Sequence, residues 1–519
     1  MRERPAEGAS RTSLAARTSA VGVVGRVATL ALSLVSRTVF IRLLGTRYLG
    51  VNGLYSDILT VLSLSELGIG AAMTFALYKP VALHEDEKIR ELLAFYRRAY
   101  RVVALATTAA GLALLPFLPA IVRGGDGFTA FELRLYFVVF LANTASAYFV
   151  SYKYGLVSAM QQNYVQTLIG LVTSLACEVA RLVVLLATES FLAYLLSGTL
   201  ALLLCRVLTV RYLDARYPIL AEHPDRALPR QERSGILREV RSLFVHQLSN
   251  VIVHATSSII IAAAPALGIG VVGLVSNYNA VVNNVSALAL VLVGGVTAGF
   301  GNLAATATPV RFAEVFDEMH FASFWLFGIC SVCLFVLLPP FIVVWIGRDY
   351  LIDDASFLLM IVNFYLQGQC SAYNNARIAK GQFGTDSGWA LAQATVSLVV
   401  SVGGAVAIGL PGVYVGMVAS RLVLFVSRPC VTSRLLFERA AGVYFRDAVR
   451  YLLAVCAAAA VCHLVCRPLL ARPSVLGLFA ALAVCLVLTC AVFLGAFRRS
   501  AQLVALAGRL RGALGGRSR

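Results

Sequence analysis

The chain has 519 residues, of which 59% are hydrophobic and only 13% charged, against roughly 25% charge in an ordinary soluble domain. With a mean hydropathy of +0.81, a water-soluble globule is excluded, and continuous apolar runs such as 452–461 exclude barrel strands, which alternate with a period of two. The net charge of +18, from 44 Lys and Arg against 26 Asp and Glu, would suggest nucleic acid in a soluble protein, but in a membrane protein it reports topology.

An all-α, polytopic membrane protein with about 14 transmembrane helices is predicted, since each span needs about 20 apolar residues. In chain order the spans fall at 19–43, 51–78, 99–122, 131–156, 165–187, 191–212, 243–267, 271–300, 322–346, 355–376, 387–408, 413–435, 448–470 and 475–497. The first is read as a retained span rather than a cleaved leader, because it is long and carries Arg26 and Arg37. Lys and Arg gather before span one, after spans two, six and twelve, and in the tail, which places both termini in the cytoplasm. Eleven cysteines lie mostly inside apolar runs, where they act as small hydrophobes. Cys330 and Cys333 have the spacing of a metal or redox pair but no second pair, so neither metal nor disulfide is expected.

The second half slides onto the first at an offset of about 220 residues. Gly50, Leu54 and Ser56 then meet Gly270, Leu274 and Ser276, while Pro119 meets Pro339, Gln162 meets Gln382 and Tyr194 meets Tyr414. Six spans per copy is an even number, so both copies enter the membrane in the same orientation, related by a pseudo-two-fold axis. The expected organisation is an N-terminal six-helix bundle at 1–212, a cytoplasmic linker at 213–242 with three prolines, a C-terminal six-helix bundle at 243–435, two extra helices at 447–497 and a basic cytoplasmic tail at 498–519.

A charge at mid-bilayer costs at least about 2.5–3.5 kcal/mol on insertion scales, so each such residue calls for a partner or a hydrated cavity. Span one carries Arg26 and Arg37; span seven carries His246, Asn250 and His254; span ten carries Asn363, Gln367 and Asn374 and ends at Arg377; span twelve carries Arg421 and Arg428. The simplest packing lines a central cavity with them, and the excess of arginine favours an anionic ligand. Arg26, Arg37, Asn250, His254, Gln367, Asn374, Arg377 and Arg421 are the candidate substrate-binding residues. Structural pairing of an arginine with Asp57 or Glu66 is the alternative, and those two carboxylates are also the candidates for coupling to H+ or Na+. The chain shows no phosphate loop, no His-Glu-x-x-His and no Gly-x-Ser-x-Gly elbow, so an enzyme is not expected.

The segment from Arg42 through Leu43, Gly45, Gly50 and Leu54 resembles the first loop of the polysaccharide, Wzx-like flippases of the MATE/MOP superfamily, and Ser65 to Ala72 looks like the same family's second helix. The resemblance implies two bundles around a central cavity and alternating access without covalent chemistry. It implies transfer of undecaprenyl-pyrophosphate-linked oligosaccharide from the inner to the outer leaflet of the bacterial cytoplasmic membrane, for polysaccharide or lipopolysaccharide biosynthesis. It further implies membrane lipids and other polysaccharide-assembly proteins as partners, no nucleic acid and no cofactor beyond a coupling ion, with spans thirteen and fourteen offering a groove for the lipid tail. Two rivals stay open: a cation-coupled exporter of drugs or small molecules, and a membrane scaffold for polysaccharide enzymes.

Overall fold

The computed structural model describes residues 29, 31–63, 69–122, 127–222, 226–297, 308–380, 387–506 and 508. Among the described residues all regular structure is helical, and nine helices are long and apolar enough to cross a membrane. Two shorter apolar helices, Ala72–Leu83 and Val251–Ala263, accompany them. The chain is a polytopic helical membrane protein.

It divides into two compact units, Met1–Leu248 and Ser249–Arg519. The first holds α1 (31–44), α2 (Thr46–Leu62), α3 (Ile69–Leu83), α4 (Asp86–Leu114), α5 (Ala130–Ala159), α6 (Asn163–Thr188), α7 (Phe191–Arg216) and the start of α8 (Arg230–Ala263). The second holds the rest of α8, then α9 (Ile269–Thr297), α10 (Pro309–Trp345), α11 (Asp354–Ala379), α12 (Ser387–Ile408), α13 (Leu410–Phe437), α14 (Gly442–Leu470) and α15 (Val475–Phe497).

The apolar run 51–78 falls on α2 and α3, with 64–68 outside the described residues. One expectation changes. The linker expected at 213–242 shrinks to 217–229: α7 continues to Arg216, and α8 begins at Arg230, directly after Pro229. The Pro229 carbonyl accepts from the Arg233 N–H at 3.1 Å and so opens the helix.

The internal repeat is visible in the backbone. Gly127 and Gly347 have φ of 118° and 116°, and Glu189 and Gly409 have φ of 50° and 72°, each pair separated by 220 residues (347 − 127 and 409 − 189). Left-handed backbone is uncommon outside glycine, so its recurrence at one offset marks equivalent helix ends. Near the start of each copy the offset differs. Gly45 and Gly268, both with φ 84°, precede α2 and α9 and lie 223 residues apart (268 − 45). The equivalent of Gly50 is therefore Gly273 rather than Gly270, a shift of about one helical turn that periodic apolar sequence tolerates.

In unit 1 the core gathers Tyr96, Tyr100, Tyr148, Leu156 and Val157, and the Tyr148 hydroxyl reaches Ser63 Oγ at 3.0 Å. In unit 2 the last two helices pack on α10: the Phe324 ring stacks on Tyr451 at 4.2 Å and meets Phe493 at 4.8 Å. Cys462, Cys466 and Cys485 are fully buried there as packing groups, and all eleven cysteines are free thiols. α12 and α13 touch backbone to backbone. A Cβ at Gly412 would lie 2.1 Å from the Gly404 backbone, and Ser401 Oγ donates to the Val413 carbonyl at 3.1 Å. Small residues permit that approach, as is usual between membrane helices.

Candidate functional site

Unit 2 carries a polar wall on α11 and α13. Asn363, Gln367 and Asn374 are spaced by four and seven, which sets them on one face of α11. Arg421 and Arg428, seven apart, share a face of α13 in the same way. Arg421 Nε donates to Asn363 Oδ1 at 3.3 Å, and Arg377 Nη2 donates to Asn374 Oδ1 at 3.2 Å. Arg377 is only 5% exposed. A neutral amide accepts from a guanidinium and orients it, so the two helices bring cationic forks and amides together. At the far end of α11, Lys380 Nζ sits 4.7 Å from the centre of the Phe312 ring.

Unit 1 places its own basic residues differently. Arg37 is half-buried on α1, whose Phe40 packs against Phe191 at 5.9 Å and Tyr194 at 5.1 Å. Glu178 and Arg181 form an ion pair at 3.5 Å along α6, and the Arg181 guanidinium lies 5.6 Å from the centre of the Tyr194 ring. The Arg181 stem crosses Gly198, where a Cβ would come within 2.1 Å of Nε. Asp57 is half-buried on α2.

Two basic groups were not singled out in the sequence. Arg206 on α7 donates through Nη1 to the Asn143 carbonyl at 2.6 Å and also bonds Ser146 Oγ. Asn143 Nδ2 in turn donates to Thr199 Oγ1 at 3.0 Å. The available signal was the same as for Arg26, an arginine inside an apolar span. Lys153 was likewise passed over: it lies on α5, is only 3% exposed and pairs with Asp214 of α7.

Of the residues selected from sequence, the structure brings Arg421 to Asn363 and Arg377 to Asn374. Arg26 and Glu66 lie outside the described residues, as do the side chains of His246, Asn250 and His254. The asparagines of α9 meet different environments. Asn277 is fully buried, Asn283 is exposed, and Asn284 Nδ2 donates to the Ala280 carbonyl at 2.7 Å.

Two apolar grooves flank α10 in unit 2. One, of about 730 Å³, lies between α9, α10 and α15 and is lined by Val281, Cys333, Phe341, Trp345, Phe479 and Leu482. The other, of about 620 Å³, lies between α10, α11, α13 and α14. Both volumes suit a lipid chain or a compact amphiphile.

No protein-family model matches the sequence, and no curated protein matches it. Solved structures do match. A lipid II flippase, MurJ, in an inward closed conformation aligns with a TM-score of 0.68 at 10% identity, over 92% of this chain and 99% of that one. A multidrug resistance MATE family transporter of the MOP superfamily, inward-facing, aligns with a TM-score of 0.57 at 15% identity, over 78% and 95%. A variant of the Vibrio cholerae MATE transporter VcmN aligns with a TM-score of 0.57 at 13% identity, over 82% and 97%. At these identities the likeness establishes a shared fold.

Proposed function

We propose that this protein is a transporter that flips a lipid-linked oligosaccharide, with an undecaprenyl-pyrophosphate anchor, from the inner to the outer leaflet of the bacterial cytoplasmic membrane for polysaccharide assembly. The observation that carries this reading is the presence, within one unit, of a wall of arginines held by amides and an apolar groove beside the last helix. A pyrophosphate head needs cationic forks, sugars need amide and hydroxyl partners, and a prenyl tail needs a dry path. Arg377, Arg421, Asn363, Gln367 and Asn374 supply the first two, and the groove between α9, α10 and α15 supplies the third. Arg26, Arg37, Asn250 and His254 are further substrate-binding candidates in this reading.

Movement is by alternating access of the two repeats, with no covalent step. Asp57 and Glu66 are the residues assigned to coupling with H+ or Na+. The structural likeness to a lipid II flippase covers more of this chain than the likeness to the MATE transporters, 92% against 78–82%, which favours the lipid substrate over a drug. The cation-coupled drug exporter is the second reading, favoured by the shared fold with MATE proteins.

The test is transbilayer movement of a lipid-pyrophosphate-linked oligosaccharide in reconstituted vesicles, with and without a pH or sodium gradient, for wild type, Arg37→Ala and Glu66→Gln. Movement that fails in Arg37→Ala supports the head-group site, and dependence of movement on both a gradient and Glu66 supports coupling there. A correctly folded protein that moves no such lipid but lowers accumulation of a cationic dye would replace this reading with the exporter.

A further inference from the structure

We propose that the groove at the open end of the α6–α7 hairpin in unit 1 binds one anionic glycerophospholipid of the surrounding bilayer, with its phosphate on Arg216 and Tyr164 and an acyl chain between the two helices. The hairpin is tight at one end, where only Glu189 and Ser190 separate Thr188 of α6 from Phe191 of α7. At the other end Asn163 opens α6 and Arg216 closes α7. A groove of about 300 Å³ lies towards that end, running from Tyr164 to Thr173 on α6 and from Tyr212 back to Cys205 on α7. Nine residues of α6 (173 − 164) span about 14 Å of helix, so the groove leads from the helix ends into the apolar part of the span. Leu168, Val172 and Leu208 line it and are exposed, which leaves it open to a lipid chain.

The mouth of the groove is rich in hydrogen-bond donors. Arg216 Nη2 donates to the Tyr164 hydroxyl at 3.2 Å and Nε donates to the Tyr217 hydroxyl at 3.3 Å. The Tyr217 hydroxyl in turn donates to Gln162 Oε1 at 2.5 Å. These bonds hold the guanidinium across both helix ends through neutral groups alone. Among the described residues no carboxylate pairs with Arg216, and Asp214, two residues away, is engaged by Lys153 of α5. Arg216, Tyr164 and Tyr212 are exposed, and among the described residues neither the Tyr164 nor the Tyr212 hydroxyl donates to a protein acceptor. A phosphate diester supplies both the counter-charge and the acceptors, through charge-assisted bonds to an arginine fork.

Depth and charge select the occupant. Tyrosines at the ends of membrane helices mark the interfacial layer, where lipid phosphates lie, while a chain between Val172 and Leu208 stays in hydrocarbon. Basic pockets between membrane helices favour anionic head groups. Arg211, also exposed on α7, adds a second positive charge, and a zwitterionic head would bring a third cation to the same place.

The test titrates the full chain, purified in detergent, with palmitoyl-oleoyl phosphatidylglycerol or phosphatidylcholine, counting bound lipid by native mass spectrometry and following thermal unfolding in parallel. One tightly held phosphatidylglycerol per chain is expected, with a rise in melting temperature that phosphatidylcholine does not reproduce. Occupancy should fall by about fivefold or more in Arg216→Gln and be lost in Val172→Trp, which fills the groove without touching the charge. It should hold in Arg98→Gln, the same charge change at an exposed position on α4. Equal retention of phosphatidylcholine, unchanged occupancy in Arg216→Gln or Val172→Trp, or an equal loss in Arg98→Gln overturns the proposal. So does displacement of phosphatidylglycerol by undecaprenyl phosphate at equal or lower concentration, which would assign the groove to the transported lipid instead. Because no residue of the α11–α13 wall is altered, lipid-oligosaccharide movement in the same variants distinguishes failure here from failure of the proposed transport.

Discussion

Tyr55 and Tyr278 are equivalent residues of the two repeats, each closing the same joint. Tyr55 on α2 donates its hydroxyl to the Leu133 carbonyl at the start of α5, at 2.9 Å. Tyr278 on α9 accepts from the Ile352 N–H just before α11, at 3.3 Å. Both rings are fully buried, and their separation of 223 residues (278 − 55) matches that of Gly45 and Gly268. A second tie recurs in both units. Arg97 of α4 donates to the Leu220 carbonyl at 2.8 Å, while Asp317, at the equivalent place in α10, accepts two bonds from Arg439 at 2.5 and 2.7 Å.

The tyrosine joint predicts a graded loss of stability. Tyr55→Phe keeps the ring and removes only the bond to the Leu133 carbonyl, which retains its helical N–H partner, at a cost of about 0.5–1.5 kcal/mol. Tyr55→Ala also empties the packing against Phe137, 5.3 Å away between ring centres, and should cost about 3–5 kcal/mol. Thermal unfolding in detergent should therefore rank wild type above Phe above Ala, and the same order should hold at Tyr278. Equal melting of the Phe and Ala variants would show that the rings are not packed as described.

Lys153 and Asp214 give a test of a buried ion pair. Lys153 is almost fully buried, while the Asp214 side chain is 31% exposed. Asp214→Ala strands the ammonium among apolar neighbours, and the expected loss is about 2–4 kcal/mol, below the 3–5 kcal/mol of fully buried pairs because Asp214 is partly solvated. The double variant Lys153→Met/Asp214→Leu should recover most of the melting temperature, since removing both charges also removes their desolvation cost. A double variant no better than Asp214→Ala would argue against the pair.

How much of this was legible in the sequence depends on what each residue bonds to. The stripe of Asn363, Gln367 and Asn374 and the isolated Arg421 stand out against apolar surroundings, so the α11–α13 wall could be read from periodicity. Arg206 could not be placed, because it grips a backbone carbonyl, that of Asn143, and every residue has one. The repeat itself was legible, but its register at the first helices was not. A three-residue slip is nearly one turn and leaves the apolar pattern in phase.

The contact between α12 and α13 makes a sharp steric prediction. Gly412→Val would push a branched side chain into the Gly404 backbone, which a Cβ alone already meets at 2.1 Å. Helix separation would have to grow, breaking the Ser401 bond to the Val413 carbonyl. Membrane-inserted protein should fall severalfold, with the survivors melting lower by about 1–3 kcal/mol or more. Gly403→Ala, one residue from Gly404 but with open space around its Cβ, should behave as wild type. A silent Gly412→Val would mean that the helices do not meet at this face.

The proposed transport site is tested most directly at Arg421. Its Nε bond to Asn363 Oδ1 orients the guanidinium, whose planar fork suits a bidentate bond to an anionic head group. Lysine keeps the charge but not the fork, and it has no Nε donor at that position. If the fork matters, Arg421→Lys should lose at least tenfold in the rate of lipid-oligosaccharide movement, nearly as much as Arg421→Ala, with little change in protein level. If charge alone matters, Arg421→Lys should keep most of the rate and Arg421→Ala should not. Asn363→Leu should lower the rate in either case, because it removes the acceptor that positions the guanidinium, and Asn363→Asp should do so by pairing with the arginine and competing with the substrate anion. Wild-type rates in Arg421→Ala and Asn363→Leu together would remove the α11–α13 wall from the transport path.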